Sequence, residues 1–237
     1  MKIKVIAFDQ GGIYIGVDYD ATIKAFEKLG ATNAGALYTQ ANQSDVIDQF
    51  ERGKVAPALF CEYLRETLKN LRADVSDQQL YDVWNAMLTG VIPGVLEYIK
   101  ELRGQGYITV VVSNADIIHH RGVEQQLDEA GARQLFDMES FDARYISYQI
   151  GHNKPYAGIF REVTKQLQQQ FPQKNIQPEN ILFIDDSEKH LSGRKGREDE
   201  GAAIVGWQTM HVSSNLPADQ FKKKLMERLK ILGEQKE

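Results

Sequence analysis

Three short apolar runs stand out along the chain, and each ends on a polar residue. Val5-Ile6-Ala7-Phe8, preceded by Lys4, runs into Asp9; Ile108 to Val112 runs into Ser113; Ile181-Leu182-Phe183-Ile184 runs into Asp185-Asp186. A strand with one wet face alternates apolar and polar positions, whereas a strand apolar throughout is covered on both faces, as in the parallel sheet of an α/β protein. Such sheets gather ligands beyond the carboxyl ends of their strands, where the winding order reverses. The polar residues closing the three runs are therefore predicted to face one crevice.

Between the first run and the second the periodicity changes. Ile23, Phe26 and Leu29 form a helical stripe closed by Gly30; Leu59, Phe60, Tyr63, Leu64 and Leu68 form another, with Cys61 on it; Tyr81, Trp84 and Met87 form a third. Each stripe predicts one buried helix face. No strand-like alternation interrupts residues 17–89, so this segment reads as an all-helical insert.

From Ile92 onward helix alternates with strand. A helix opened by Pro93 turns Val95, Tyr98, Ile99 and Leu102 inward and is closed by Gly104 and Gly106. The strand 108–112 follows, then a helix over 116–129, a short apolar stretch over 135–141, and a helix with Ile159, Phe160, Val163 and Leu167 inward. After the strand 181–184, further strands are predicted at Ala202–Val205 and Thr209–Val212, and Phe221, Leu225, Leu229 and Leu232 predict a closing helix. Right-handed crossovers wind such a series into one open sheet with helices on both sides. The first strand buries nothing alone and must join that sheet. The predicted architecture is α/β: a Rossmann-like doubly wound parallel sheet built from 1–16 and 90–237, with a helical cap domain, 17–89, inserted.

Composition narrows the function. The 237 residues are 42% apolar and 26% charged, as in a soluble globular protein. The apolar runs are far shorter than the ~20 residues of a membrane helix, so no membrane partner is expected. A net charge of −5 with acids and bases intermixed offers nucleic acid no basic face. Arg194-Lys195-Gly196-Arg197 and Lys222-Lys223-Lys224 read as solvated surface. Cys61 has no internal partner for a disulfide, and no apolar leader precedes the first strand, so a reducing, cytoplasmic setting is expected. Nothing in the sequence marks an oligomeric state.

The polar residues carry chemistry of their own. Asp9 is ionised at neutral pH, and Gly11 and Gly12 behind it let backbone amides approach an anion, although a turn cap would use the same residues. Asp185-Asp186 supplies hard oxygen ligands for a divalent cation, and capping of a following helix accounts for one of the two acids only. Ser113 and the amide of Asn114 are candidate donors to an anion. Lys154, extended by Pro155, is kept off the next helix. Of the histidines, His119 and His120 point to different faces and His152, His190 and His211 stand singly, so none has a metal-ligand spacing.

Taken in order, Phe8-Asp9-Gln10-Gly11-Gly12-Ile13, Val112-Ser113-Asn114, Gly151-His152-Asn153-Lys154-Pro155 with Ile159-Phe160 behind it, and Phe183-Ile184-Asp185-Asp186-Ser187 resemble the four motifs of the haloacid dehalogenase superfamily. The helical insert resembles that superfamily's small cap. The resemblance implies that Asp9 is a nucleophile forming an aspartyl phosphate. It implies Mg2+ as cofactor, with Asp9, Asp186 and the carbonyl of Gly11 as direct ligands and Asp185 holding the metal's water shell. Gly11, Gly12, Ser113, Asn114 and Lys154 would bind the phosphate, and the implied activity is that of a phosphatase of a small phosphorylated metabolite such as a sugar phosphate.

One position departs from the pattern. Well-studied phosphatases of the superfamily carry a general acid two residues after the nucleophile, a group worth roughly 10²–10⁴-fold, and here that position is Gly11. Three expectations follow: a phosphatase that acts on a good leaving group, such as an anomeric phosphate, or borrows Asp18 or Asp20 for proton transfer; a binding or regulatory protein that keeps the pocket without turnover; and, last, a metal-free dehalogenase, for which Asp185-Asp186 would be unwanted charge.

Overall fold

The computed structural model describes residues 2–37 and 45–234. Its strands are β1 (Val5–Phe8), β2 (Ile15–Val17), β3 (Leu88–Val91), β4 (Ile108–Ser113), β5 (Ala143–Ile146), β6 (Ile181–Asp185) and β7 (Gln208–His211). Five of them form one parallel sheet in the order β5-β4-β1-β6-β7. From the central β1 the chain winds outward through β4 to β5, crosses back to β6 and winds outward again to β7. The winding thus reverses between β1 and β6, with Phe8 level with Val111 on one side and Ile184 on the other.

The helices are α1 (Tyr19–Lys28), α2 (Ala34–Leu37), α3 (Asp45–Glu51), α4 (Pro57–Thr67), α5 (Asp77–Trp84), α6 (Val95–Gly104), α7 (Ile117–Glu129), α8 (Ser147–Ile150), α9 (Ala157–Gln170), α10 (Glu188–Ser192) and α11 (Ala218–Glu234). The uninterrupted apolar strands have their predicted cause. Ile6 and Phe8 pack with Val95, Ile99, Phe221 and Leu225 of α6 and α11 on one face, while Val5 and Ala7 pack with Ile159, Phe160 and Val163 of α9 on the other. Each fully buried side chain of this size contributes about 1.5–3 kcal/mol. No helix among the described residues is long and apolar enough to cross a membrane.

Helices α1 to α5 have their own core of Phe26, Ile47, Phe50, Phe60, Cys61, Leu64, Leu80, Trp84 and Met87, with Ile118 of α7 joining it. Phe50 stacks on Phe60 at 4.1 Å, and Trp84 meets Phe60 edge-on at 4.8 Å. Asp18 caps α1 by accepting from the Asp20 amide, and Ser76 with Gln79 forms a reciprocal capping box on α5. The chain enters and leaves these helices through β2 and β3, which pair antiparallel. Asn215, in the loop after β7, bonds both the amide and the carbonyl of Val17, each at 2.9 Å.

Several elements differ from expectation. The β2–β3 ribbon was not predicted, because its strands are three and four residues long and each takes its partner from the far end of the insert, leaving no local alternation. Ala203–Val205 is a 3-10 turn; Gly201 and Gly206, both at positive φ, bracket it and stop a strand from forming. Leu135–Ser140 is a wide helical turn, and the strand comes after it as Ala143-Arg144-Tyr145-Ile146, whose mixed polarity suits a sheet edge. Pro93 lies in a turn, and α6 begins at Val95 after Gly94 at φ 83°. Leu59 is 57% exposed, because α4 turns Phe60, Cys61 and Leu64 inward and leaves their neighbour to solvent.

Candidate active site

The residues closing the three apolar runs come together at one end of the sheet. The Asp9 amide donates to the Ile184 carbonyl at 2.9 Å, carrying the β1–β6 ladder past the end of β1. Lys154 reaches them from the loop after α8. Its ammonium lies 2.8 Å from Asp9 Oδ1 and 2.6 Å from Asp185 Oδ2, fully buried, with the Phe183 ring 5.2 Å away. Asn114, next to the buried Ser113, holds that loop: its Oδ1 accepts from the Lys154 amide and its Nδ2 donates to the Lys154 carbonyl, both at 2.8 Å. The Asn114 side chain thus anchors Lys154 rather than standing free toward a ligand.

The turn after β1 is tight. Asp9 Oδ1 accepts from the Gln10 amide at 2.7 Å, and the Tyr14 hydroxyl donates to Gln10 Oε1 at 3.1 Å. Gly12 sits at φ 73°, where a Cβ would lie 2.4 Å from Asp186 Oδ2 and 2.6 Å from Ser214 Oγ. Only glycine lets the turn and the Asp186 carboxylate approach this closely. Gly11 is partly exposed and bridges to Ile15.

The three acids are not equivalent. Burial opposes the charge of Asp185, but His190, whose Nδ1 lies 3.0 Å from Oδ2, and Lys154 outweigh it and hold the carboxyl below the usual range. The Ser187 amide adds a bond of 2.8 Å to Asp185 Oδ1. Asp9 goes the other way, against the expectation of a carboxyl ionised at neutral pH: burial and the Asp185 charge push it up to about 8, against the pull of Lys154. Asp186, less enclosed, is raised by burial and by Asp185. Burial disfavours the Lys154 charge, yet Asp185 and Asp9 hold its pKa above the ordinary value. One ammonium shared between two acids leaves the cluster short of positive charge, and hard carboxylate oxygens are the ligands a small divalent cation takes. Ligand atoms of Asp9, Asp185 and His190 lie within 4.8 Å of one another. The Lys154 ammonium already lies against Asp9 Oδ1 and Asp185 Oδ2, so a cation placed among these groups would compete with it for those two oxygens.

Sequence reasoning missed several groups that the fold brings here. His190 is buried against Asp185, five residues further along, where only the turn into α10 reveals the contact. Tyr19, at the start of α1, is half-buried, and burial together with Asp186, Asp9, Asp185 and Glu51 pushes its hydroxyl pKa far up. Glu51, at the end of α3, is buried, with Oε2 3.5 Å from Asn114 Nδ2. Asp18 and Asp20, candidates for proton transfer, are exposed, and Asp18 is engaged as the cap of α1. The basic runs lie at the surface: Arg194 pairs with Glu200 and Lys222 with Glu101.

A family model described as haloacid dehalogenase-like hydrolase matches residues 3–195. Among characterised proteins, the chain is similar to a D-ribitol-5-phosphate phosphatase of Bacteroides thetaiotaomicron, at 25% identity over 189 residues, covering 80% of this chain and 85% of that protein. Among solved structures it is similar to a family enzyme of Bacteroides thetaiotaomicron in complex with magnesium and inorganic phosphate, with a TM-score of 0.77, 26% identity and 93% and 98% of the two chains covered. A predicted hydrolase of the same kind from Porphyromonas gingivalis, at 23% identity and TM-score 0.69 over 95% of this chain and 98% of that one, shares the fold.

Proposed function

The chain belongs to the haloacid dehalogenase-like hydrolases, and from that premise we propose that it is a Mg2+-dependent phosphatase of a small phosphorylated metabolite, a sugar or sugar-alcohol phosphate. The observation that carries this reading is the Lys154 ammonium bridging Asp9 and Asp185 at 2.8 and 2.6 Å in the crevice where the sheet reverses its winding. The substrate class and the cation are supported by the phosphatase relative and by the similar structure holding magnesium and phosphate.

We assign Asp9 as the nucleophile. Its carboxylate oxygen bonds to phosphorus as the bond to the leaving alkoxide breaks; water then attacks phosphorus, freeing inorganic phosphate and Asp9. Ser113, the Asn114 amide, the Gly11-Gly12 turn and Lys154 hold the phosphoryl oxygens and orient the group for in-line displacement. Asp9, Asp186 and the Gly11 carbonyl would hold the cation, with Asp185 behind them fixing Lys154 and His190. When bound, Mg2+ supplies the charge that offsets the acids and the phosphoryl oxygens. Residues 17–89 form the cap that excludes water and selects the substrate, and residues 1–16 with 90–237 form the core. A reducing cytoplasm suits its single buried thiol, Cys61.

Gly11 brings no carboxylate to the leaving oxygen, so an anomeric phosphate, whose alcohol leaves readily, needs no proton donor there, whereas a primary sugar or alditol phosphate takes its proton from elsewhere. Purified protein is expected to release phosphate from members of a panel of pentose, hexose and alditol phosphates with Mg2+ present, and to stop when the cation is chelated. Silence across the panel, or release that is indifferent to chelation, contradicts the reading.

A further inference from the structure

The end of α3 and the residues just beyond it, 48–53, hold the loop that carries Lys154 and, through Ser147, the loop that follows Ser113. Arg52 Nε donates to Asn153 Oδ1 at 2.9 Å, Arg52 pairs with Asp48 at 2.7 Å, and Asn153 Nδ2 donates to Asp48 Oδ1 at 2.7 Å. The three side chains form a closed ring, with the guanidinium 4.9 Å from the centre of the Tyr156 ring. Asn153, 2% exposed, immediately precedes Lys154. On the other side of the site the Glu51 carbonyl accepts from Ser147 Oγ at 2.7 Å, and that hydroxyl accepts from the Ala115 amide at 3.0 Å. Gly53, at φ 69°, approaches α8 so closely that a Cβ would stand 2.3 Å from the Tyr148 carbonyl oxygen.

The position of Lys154 is exacting, because one ammonium serves two carboxylates at once. Asn114 holds its peptide groups from one direction, and the side chain of the residue before it is held from the other direction by Arg52 and Asp48 of the insert. A guanidinium, planar and forked, holds both a carboxylate and an amide oxygen in fixed directions, as a lysine does not. Displacing a transfer group by ~1 Å costs up to about 10²-fold.

We propose that Arg52 is a positioning residue for phosphoryl transfer: held by Asp48, it fixes Asn153 and, through Asn153, the place of the Lys154 ammonium between Asp9 and Asp185. The site is then complete only when the insert is docked. The kinetic part of this inference rests on the phosphatase reading; the structural part does not.

The test compares Arg52→Ala, Arg52→Lys, Asn153→Ala and the Arg52→Ala/Asn153→Ala pair with the unaltered protein, by kinetics and by backbone hydrogen exchange. For Arg52→Ala we expect kcat to fall roughly 10–10²-fold with KM little changed. Arg52→Lys should not restore it, and the pair should be no slower than the worse single variant. Amides of 151–157 should exchange faster in both Arg52 variants, while those of β6 stay as they were. Unaltered kcat in Arg52→Ala, fully additive losses in the pair, or unchanged exchange over 151–157 would overturn the proposal. If the unaltered protein releases no phosphate yet exchange over 151–157 responds to Arg52, the phosphatase reading fails and the role of Arg52 in holding Lys154 stands.

Discussion

The strand tips and the helical insert solve opposite problems. At the tips, charged groups are buried almost completely and survive because each has a polar partner: the Lys154 ammonium lies against Asp9 and Asp185, and Asp185 also faces Nδ1 of His190, a ring whose own pKa burial lowers. In the insert, stability comes from stacked and edge-on rings around Phe60, and its docking on the Lys154 loop uses a partly exposed pair, Arg52 with Asp48. A buried charge cluster fixes atoms closely but tolerates no missing member. An apolar bundle is held instead by the fit of its rings. The contrast places the charged cluster in the core and ties the insert to it through Arg52 and Asp48.

The sharpest way to break this comparison is Lys154→Met. Removing one partner of a buried ion pair costs about 3–5 kcal/mol, and loss of a donor to the transferring group costs about 10²–10³-fold in kcat. Both losses should be seen, by denaturant unfolding and by steady-state kinetics. A variant with full activity would mean that the cluster does not serve the reaction.

Phe60→Ala probes the other region. The side chain is fully buried beneath Phe50 and Trp84, so about 3–5 kcal/mol of stability should be lost. Mg2+ binding at the core, followed by calorimetry, should persist at temperatures where the variant stays folded. Loss of cation binding together with the ring would show that the two regions are not separable in this way.

The smallest effect expected lies at their junction. His119 Nδ1 is 3.0 Å from Asp116 Oδ2 and Nε2 is 3.0 Å from the Trp84 carbonyl, with the indole stacked on the imidazole and its Nε1 donating to Asp116 at 2.9 Å. Both ring nitrogens face acceptors, as a protonated ring requires. Burial opposes that proton, but Asp116, the Trp84 carbonyl and Glu51 raise the His119 pKa above 6.5. Asp116 moves down: burial is outweighed by His119. A raised histidine contributes stability that is complete below its unfolded value and is lost as pH rises through the folded one; a lowered aspartate contributes stability above its unfolded value and loses it as pH falls. The pair is therefore at full strength between 3.8 and 6.5 and weakens above that window. Melting temperature measured across this range should fall on the alkaline side, and His119→Gln should flatten that fall; an unchanged slope would remove His119 from the junction.

The two regions also differ in how far they could be read from sequence. β1, β4 and β6 were legible because burial on both faces writes an uninterrupted apolar run, and the residue after such a run sits at the strand tip by construction. Asp9, Ser113 and Asp185 follow from that rule. Lys154 does not: it lies on a loop, and only its place among the other motifs singled it out. His190, Asn153 and Arg52 were not legible, since each acts through a partner that the fold, not the local pattern, brings near. The ribbon of β2 and β3 escaped for the same reason. In the insert, periodicity placed Phe60 and Trp84 correctly inside, but it could not tell Leu59 from its buried neighbours on α4.

On the proposed mechanism Asp9 attacks phosphorus in a site assembled from separate strand tips. That attack is tested most directly by quenching the protein in acid during turnover of a phosphorylated sugar or alditol, then locating any phosphoryl group by peptide mass spectrometry. One added phosphoryl group is expected on the peptide containing Asp9, dependent on Mg2+ and absent, along with phosphate release, from Asp9→Asn. A phosphoryl group on a different residue, or continued turnover by Asp9→Asn, would contradict that mechanism.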